Sequence, residues 1–127
     1  MKTNMRRTRS AFTLVEIMIV VAIIGLLAAL AVPGFVRARK QSQGRRIIND
    51  ARQMDAAIDQ WALEVGASNG STVDTVAAAK YLKREWPTTD LLGGTFSVAN
   101  GVGASQIVIA TTTKTALADV GIDWGTY

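Results

Sequence analysis

Few side chains in this sequence of 127 residues have the types and spacing that chemistry requires. Cysteine is absent, so neither a disulfide framework nor a thiolate metal site can form. Histidine is absent as well, which removes the commonest general base and the commonest metal ligand. A hydrolase or metalloenzyme would have to work with carboxylates, lysine and hydroxyls alone. No carboxylates cluster at calcium-loop spacing. The sequence therefore argues against an enzyme and offers no metal site and no cofactor site.

One carboxylate does stand out. Glu16 is the only charged residue between positions 12 and 36, in an otherwise apolar stretch. An acid in a membrane-spanning segment costs about 2.5–3.5 kcal/mol at mid-bilayer and less near the interface, so such residues usually have a partner and a role. Nothing basic stands near Glu16 within the apolar block. A cut before Phe12 would create an α-ammonium one helical turn away. Between neighbouring subunits in register, that amine and Glu16 would neutralise each other.

The elements that position Glu16 follow from charge and periodicity. Residues 1–11 are short, basic and polar, with Lys2, Arg6, Arg7 and Arg9 accounting for the formal charge of +4; the rest of the chain holds ten basic and ten acidic residues. A basic tip followed by an apolar run orients a membrane segment with the tip in the cytoplasm. Residues 17–36 would span about 30 Å as a helix, enough to cross a bilayer core. Pro33 and Gly34 interrupt the far end, where a missing amide donor and added backbone freedom favour a kink or a locally meltable turn.

Beyond this block, Ile47, Ala51, Met54, Ile58, Trp61 and Val65 recur at spacings of four and three, one apolar stripe widened by Ile48 and Ala62. Arg46 with Asp50, and Arg52 with Asp55, stand at helical pairing distance. Gly66 is a natural stop. The two halves together predict one long helix from about Thr13 to about Val65. Ser71 to Asp74 fits a capping box opening a short helix through roughly Leu82, closed by Trp86-Pro87. Residues 95–99 and 106–112 read as two strands joined by Asn100-Gly101-Val102-Gly103. Trp124 or Tyr127 is expected to pack back on the domain. A small sheet needs a partner, and the stripe is the obvious one; covering it buries about six side chains, each contributing about 1.5–3 kcal/mol. The rival reading of the stripe is a coiled-coil seam, for which three heptads is short.

The fold class expected is α+β: a long N-terminal helix, membrane-spanning in its first half, packed on a short helix and a small antiparallel sheet. The organisation expected is a leader at 1–11, an apolar helix at 12–36, its amphipathic continuation at 37–66 and a small head at 67–127.

The run Ala11-Phe12-Thr13-Leu14-Val15-Glu16-Ile17-Met18-Ile19-Val20, led by a basic tip and followed by an apolar stretch to Pro33, resembles the class III signal of type IV prepilins. The resemblance covers about residues 6–35. It implies a pilin-like fold and cleavage between Ala11 and Phe12 by a prepilin peptidase that then N-methylates Phe12. It also implies that Glu16 pairs with the N-terminus of an adjacent subunit and that Pro33 is a helix-kinking proline. A helical filament of identical subunits, drawn from the inner membrane by an assembly machinery and lying in the periplasm or outside the cell, is implied as well. Ala11 departs from the family, which nearly always has glycine there. More loosely, Trp61 to Glu64, and Tyr81 to Pro87 before Gly93-Gly94, resemble small pilin-like proteins of general-secretion type, so a type II secretion pseudopilin is the alternative.

Blander readings compete. An ordinary signal peptide would be cut after its apolar core, with Ala29-Leu30-Ala31 as the site, and a plain membrane anchor would carry a monomeric binding module; both leave Glu16 without a role. Asn69-Gly70-Ser71 matches a glycosylation acceptor, a brief motif common by chance. Arg37, Arg39, Lys40, Arg45 and Arg46 read as a solvated or headgroup-facing patch; a nucleic-acid partner is compatible with them but has no further support.

Overall fold

The computed structural model describes residues 11–99, 101–103 and 106–127. Contacts divide the chain into two units, residues 1–36 and 37–127. The first helix, α1, spans Leu14–Val65. After it come α2 (Thr75–Ala78), a 3-10 turn at Ala79–Tyr81, strands β1 (Phe96–Val98) and β2 (Ile107–Ile109), α3 (Thr111–Ala116) and a second 3-10 turn at Ala118–Val120. The two strands pair antiparallel, Phe96 opposite Ile109, Ser97 opposite Val108 and Val98 opposite Ile107. A long apolar helix with a short helix and a two-stranded antiparallel sheet is the expected α+β, pilin-like architecture.

Within residues 37–127 the core forms around the stripe of α1. Ile47, Ala51, Met54 and Ile58 are fully buried and Trp61 nearly so, joined by Ile107, Ile109, Leu117 and Val120. β2 alternates as a half-buried strand should: Ile107 and Ile109 point inward while Val108 is exposed. Two acids of α1 pin this strand. Asp55 Oδ1 accepts from the Ile107 amide at 3.2 Å, and Asp59 Oδ1 accepts from Gln106 Nε2 at 2.7 Å.

Val65 departs from the stripe, with 57% of its surface exposed. It is the last helical residue. Gly66 takes the left-handed conformation, and the Ala67 amide bonds back to the Ala62 carbonyl at 2.8 Å, a Schellman-type stop that turns the chain away before Val65 can be covered. Its position on the stripe has no facing surface.

Three further expectations are corrected. The cap of α2 is Asp74, not Ser71: its carboxylate accepts from the amides of both Val76 and Ala77 at 3.0 Å, whereas the Ser71 backbone is held in a loop by Ser68 and Val102. The second strand stops at Ile109, and residues 111–112 begin α3 despite their β-branched side chains. Tertiary bonding overrides propensity there, since buried Thr113 donates its hydroxyl to Asp90 Oδ2 at 2.5 Å. Neither helical ion pair forms as spaced: Arg84 takes Asp50 at 2.9 Å, and Asp55 faces β2. Of the strand link, Asn100 lies outside the described residues.

The C-terminal segment packs back as expected, with Ile122, Trp124 and Tyr127 against the core. Gly44 permits this. A Cβ there would lie 1.9 Å from Ile122 Cδ1, so the Ile122 side chain would have to shift to keep its place where the tail crosses the helix. Lys40 pairs with Asp119 at 2.7 Å and Lys114 Nζ donates to the Tyr127 carbonyl. Desolvation raises the Asp55 carboxyl above its ordinary range, helped by the charge of Asp59 and opposed by hydrogen bonds from the Tyr127 hydroxyl and the Gln106 and Ile107 backbone.

Candidate functional site

Residues 1–10, all but the last of the expected leader, lie outside the described residues, while Ala11 and Phe12 are described and exposed, Phe12 by 83%. α1 begins two residues later. Thr13 is its N-cap: the Thr13 carbonyl accepts from the Ile17 amide at 3.4 Å, and its hydroxyl accepts from the Glu16 amide at 3.3 Å. Glu16 returns the bond, its Oε2 accepting from the Thr13 amide at 2.9 Å. This reciprocal pair is a capping box. It satisfies two of the amide donors that every helix start leaves open, and it places a negative charge at the positive end of the helix dipole.

Glu16 therefore has a neutral partner in its own chain, which the reading of it as an isolated acid missed. The signal was present as Thr13-Leu14-Val15-Glu16, a threonine three residues before a glutamate at the head of an apolar run. The box gives Glu16 a local role that any membrane anchor could share. It does not supply a cation. Among the described residues the ion pairs are Lys40–Asp119 and Arg84–Asp50, and neither involves Glu16.

What surrounds the acid is bare apolar surface. Phe12, Leu14, Val15 and every large aliphatic side chain on to Val36 are exposed by about half or more. The most apolar window of α1 is long and apolar enough to cross a membrane, and none of it is buried against the chain. Pro33 lies inside the continuous helix; lacking an amide hydrogen, it leaves the carbonyl of Ala29 without its usual donor. Nothing stands within 4 Å of where a Cβ on Gly34 would sit. Ala11, Phe12 and Glu16 thus fall within six positions of one helix start, with Pro33 and Gly34 some five turns on. The stripe from Ile47 to Trp61 serves a separate purpose, as core.

Nothing in this arrangement resembles a catalytic centre. Among the described residues no group of three or more acidic side chains converges as a metal site would require. The chemistry available is recognition: a carboxylate fixed by its helix start, on a helix whose apolar surface is exposed.

Comparison with known proteins bears on this region first. A family described as the prokaryotic N-terminal methylation motif matches residues 6–32. The type IV major fimbrial protein FimA of Dichelobacter nodosus is 35% identical over 105 residues, which cover 83% of this chain and 64% of that protein. The type II secretion system core protein G of Pseudomonas aeruginosa is 42% identical over 59 residues, covering 46% of this chain and 42% of that one. Fimbrial protein EcpC of Eikenella corrodens is 26% identical over 106 residues, 84% of this chain and 58% of that protein. The chain thus spans less than two thirds of the length of each of these relatives. No solved structure matches it.

Proposed function

The chain belongs to the type IV pilin and type II secretion pseudopilin family, and from that premise we propose that it is a non-catalytic structural subunit of a type IV pilus-like filament. The observation that carries this reading is the methylation motif over residues 6–32, with Glu16 inside a helix whose apolar surface its own chain leaves uncovered.

In this proposal residues 1–11 are a leader, residues 12–36 the membrane and filament-core segment, 37–66 the amphipathic continuation and 67–127 the head. A prepilin peptidase cuts between Ala11 and Phe12 and methylates the Phe12 amine. The subunit waits in the inner membrane as a single-pass protein with its basic tip cytoplasmic. Assembly moves the apolar helix from lipid into a bundle of like helices, in the periplasm or outside the cell. The Glu16 carboxylate has two oxygens. One already accepts from Thr13, and a neighbour's Phe12 amine pairs with the carboxylate, neutralising a charge that lipid tolerates poorly. The missing donor at Pro33 and the permissive Gly34 make that turn the place where the helix kinks or opens.

Mass spectrometry of the mature protein tests the processing: a chain starting at Phe12 and carrying one added methyl group is expected, and an intact leader or a cut after Ala31 overturns it. A second reading, a pseudopilus subunit of a type II secretion system, is favoured by the core protein G relatives, which match over 59 residues. Surface filaments seen by electron microscopy support the first reading. Loss of exoprotein export without loss of filaments on deleting the gene supports the second.

A further inference from the structure

We propose that Arg37, Arg39, Arg45 and Arg46 form a docking surface for anionic phospholipid headgroups in the leaflet opposite the leader. The inference rests on the membrane orientation proposed above. Between Glu16 and Asp50 the sequence contains no acid, and all of its cations, Arg37, Arg39, Lys40, Arg45 and Arg46, directly follow the apolar run. Lys40 is paired with Asp119, a carboxylate held below its ordinary range by that contact and, at longer reach, by Arg37. The four arginines are exposed, and none is in an ion pair among the described residues. Asp50, one helical turn from Arg46, is occupied by Arg84.

The spacing suits a membrane surface. Arg39 and Arg46 stand seven residues apart, on one face of the helix, away from the buried stripe. The nine steps from Arg37 to Arg46 rise about 14 Å. That matches a headgroup layer of about 5–7 Å plus a Debye length of about 8 Å at physiological ionic strength. Guanidinium groups bind phosphate through paired donors, and each basic residue near an anionic surface adds about 1 kcal/mol of attraction, roughly fivefold in binding.

Orientation sharpens the case. Four basic residues precede the apolar run and five follow it, so the second group works against the signal that keeps the first in the cytoplasm. Cations on the translocated side need another reason to be there. A second copy of the chain is the rival partner. Asp50 and Asp119 are already committed to ion pairs within the fold, whereas every anionic lipid brings an uncommitted charge.

The test uses the full chain, purified from membranes in detergent, mixed with equal phosphatidylglycerol and phosphatidylcholine and weighed intact with its retained lipids. The wild type is expected to retain phosphatidylglycerol preferentially. R39Q/R46Q should lower that retention about twenty-five-fold, while K80Q/K83Q, which removes the same charge from the head, should stay within about twofold. E16Q, which should abolish filaments, should retain lipid like the wild type. Equal retention of the two lipids by the wild type, or equal losses in the two double variants, overturns the proposal. Loss of lipid in E16Q also overturns it, by tying the arginines to a neighbouring copy. Failure of the wild type to form filaments, with lipid retention as expected, would sink the filament reading and leave this one standing.

Discussion

The two parts of α1 have the same helical backbone and opposite surroundings. From Ile47 to Trp61 its apolar stripe is buried by the head. From Phe12 to Val36 its large side chains are exposed around the whole circumference. The difference lies in pattern, not in hydrophobicity. A stripe with polar residues on its other faces needs one neighbour, which β2 and the C-terminal segment provide. A helix apolar on all sides needs surroundings that no small domain can supply, so lipid or other helices must provide them. The acid in each part follows the same division. Asp55 and Asp59 bind the strand that covers their stripe, whereas Glu16 binds only the start of its own helix.

Substitution in the two parts should therefore read out differently, and the largest contrast lies in stability of the head. Ile58→Ala empties a fully buried site and is expected to cost about 2–5 kcal/mol in chemical denaturation of the detergent-solubilised chain. Ile24→Ala, equally apolar but exposed, should change that transition by less than about 0.5 kcal/mol. Similar losses for both would mean that the apolar segment contributes to the head after all.

A smaller effect comes from the loop that the stripe does not touch. Gly94→Ala would bring a Cβ within 2.0 Å of Thr113 Oγ1 and 2.7 Å of Asp90 Oδ2, two atoms bonded to each other. A loss of about 1–3 kcal/mol in the same denaturation is expected. A neutral result would show that the Asp90–Thr113 bond is dispensable for α3.

The smallest effect expected is on pH dependence. The Asp55 carboxyl is raised in the fold, so the folded state favours its proton. Its contribution is fully present below the ordinary carboxylate range and is lost as pH rises through the raised value. Measured against D55N, the wild-type head should gain stability as pH falls from 7 toward 4. A constant difference across that range would place Asp55 in a better solvated site than the fold shows.

Much of this was legible in the sequence because periodicity reports burial directly. The long helix, its stripe and its stop at Gly66 follow from spacing and from one glycine. The strands were readable in kind, but the extent of β2 was not. Thr111 and Thr112 favour a strand locally, and only the distant Asp90 that holds Thr113 turns the segment into a helix. Val65 misled for the converse reason: spacing places it on the stripe, yet nothing in spacing reveals that the chain turns away at the next residue. At the candidate site the identities of Phe12 and Glu16 are plain in the sequence, while the bond between Thr13 and Glu16 is signalled only by their three-residue spacing at the head of an apolar run.

The central claim is that Glu16 meets the Phe12 end of another subunit. Since the chain contains no cysteine, single cysteines on either side of Glu16 give an unambiguous readout. A mixture of V15C subunits with subunits carrying a cysteine at Met18, oxidised in isolated filaments, should yield covalent dimers, and E16A should remove them together with the filaments. Filaments of normal abundance and normal cross-linking in E16A would contradict the account.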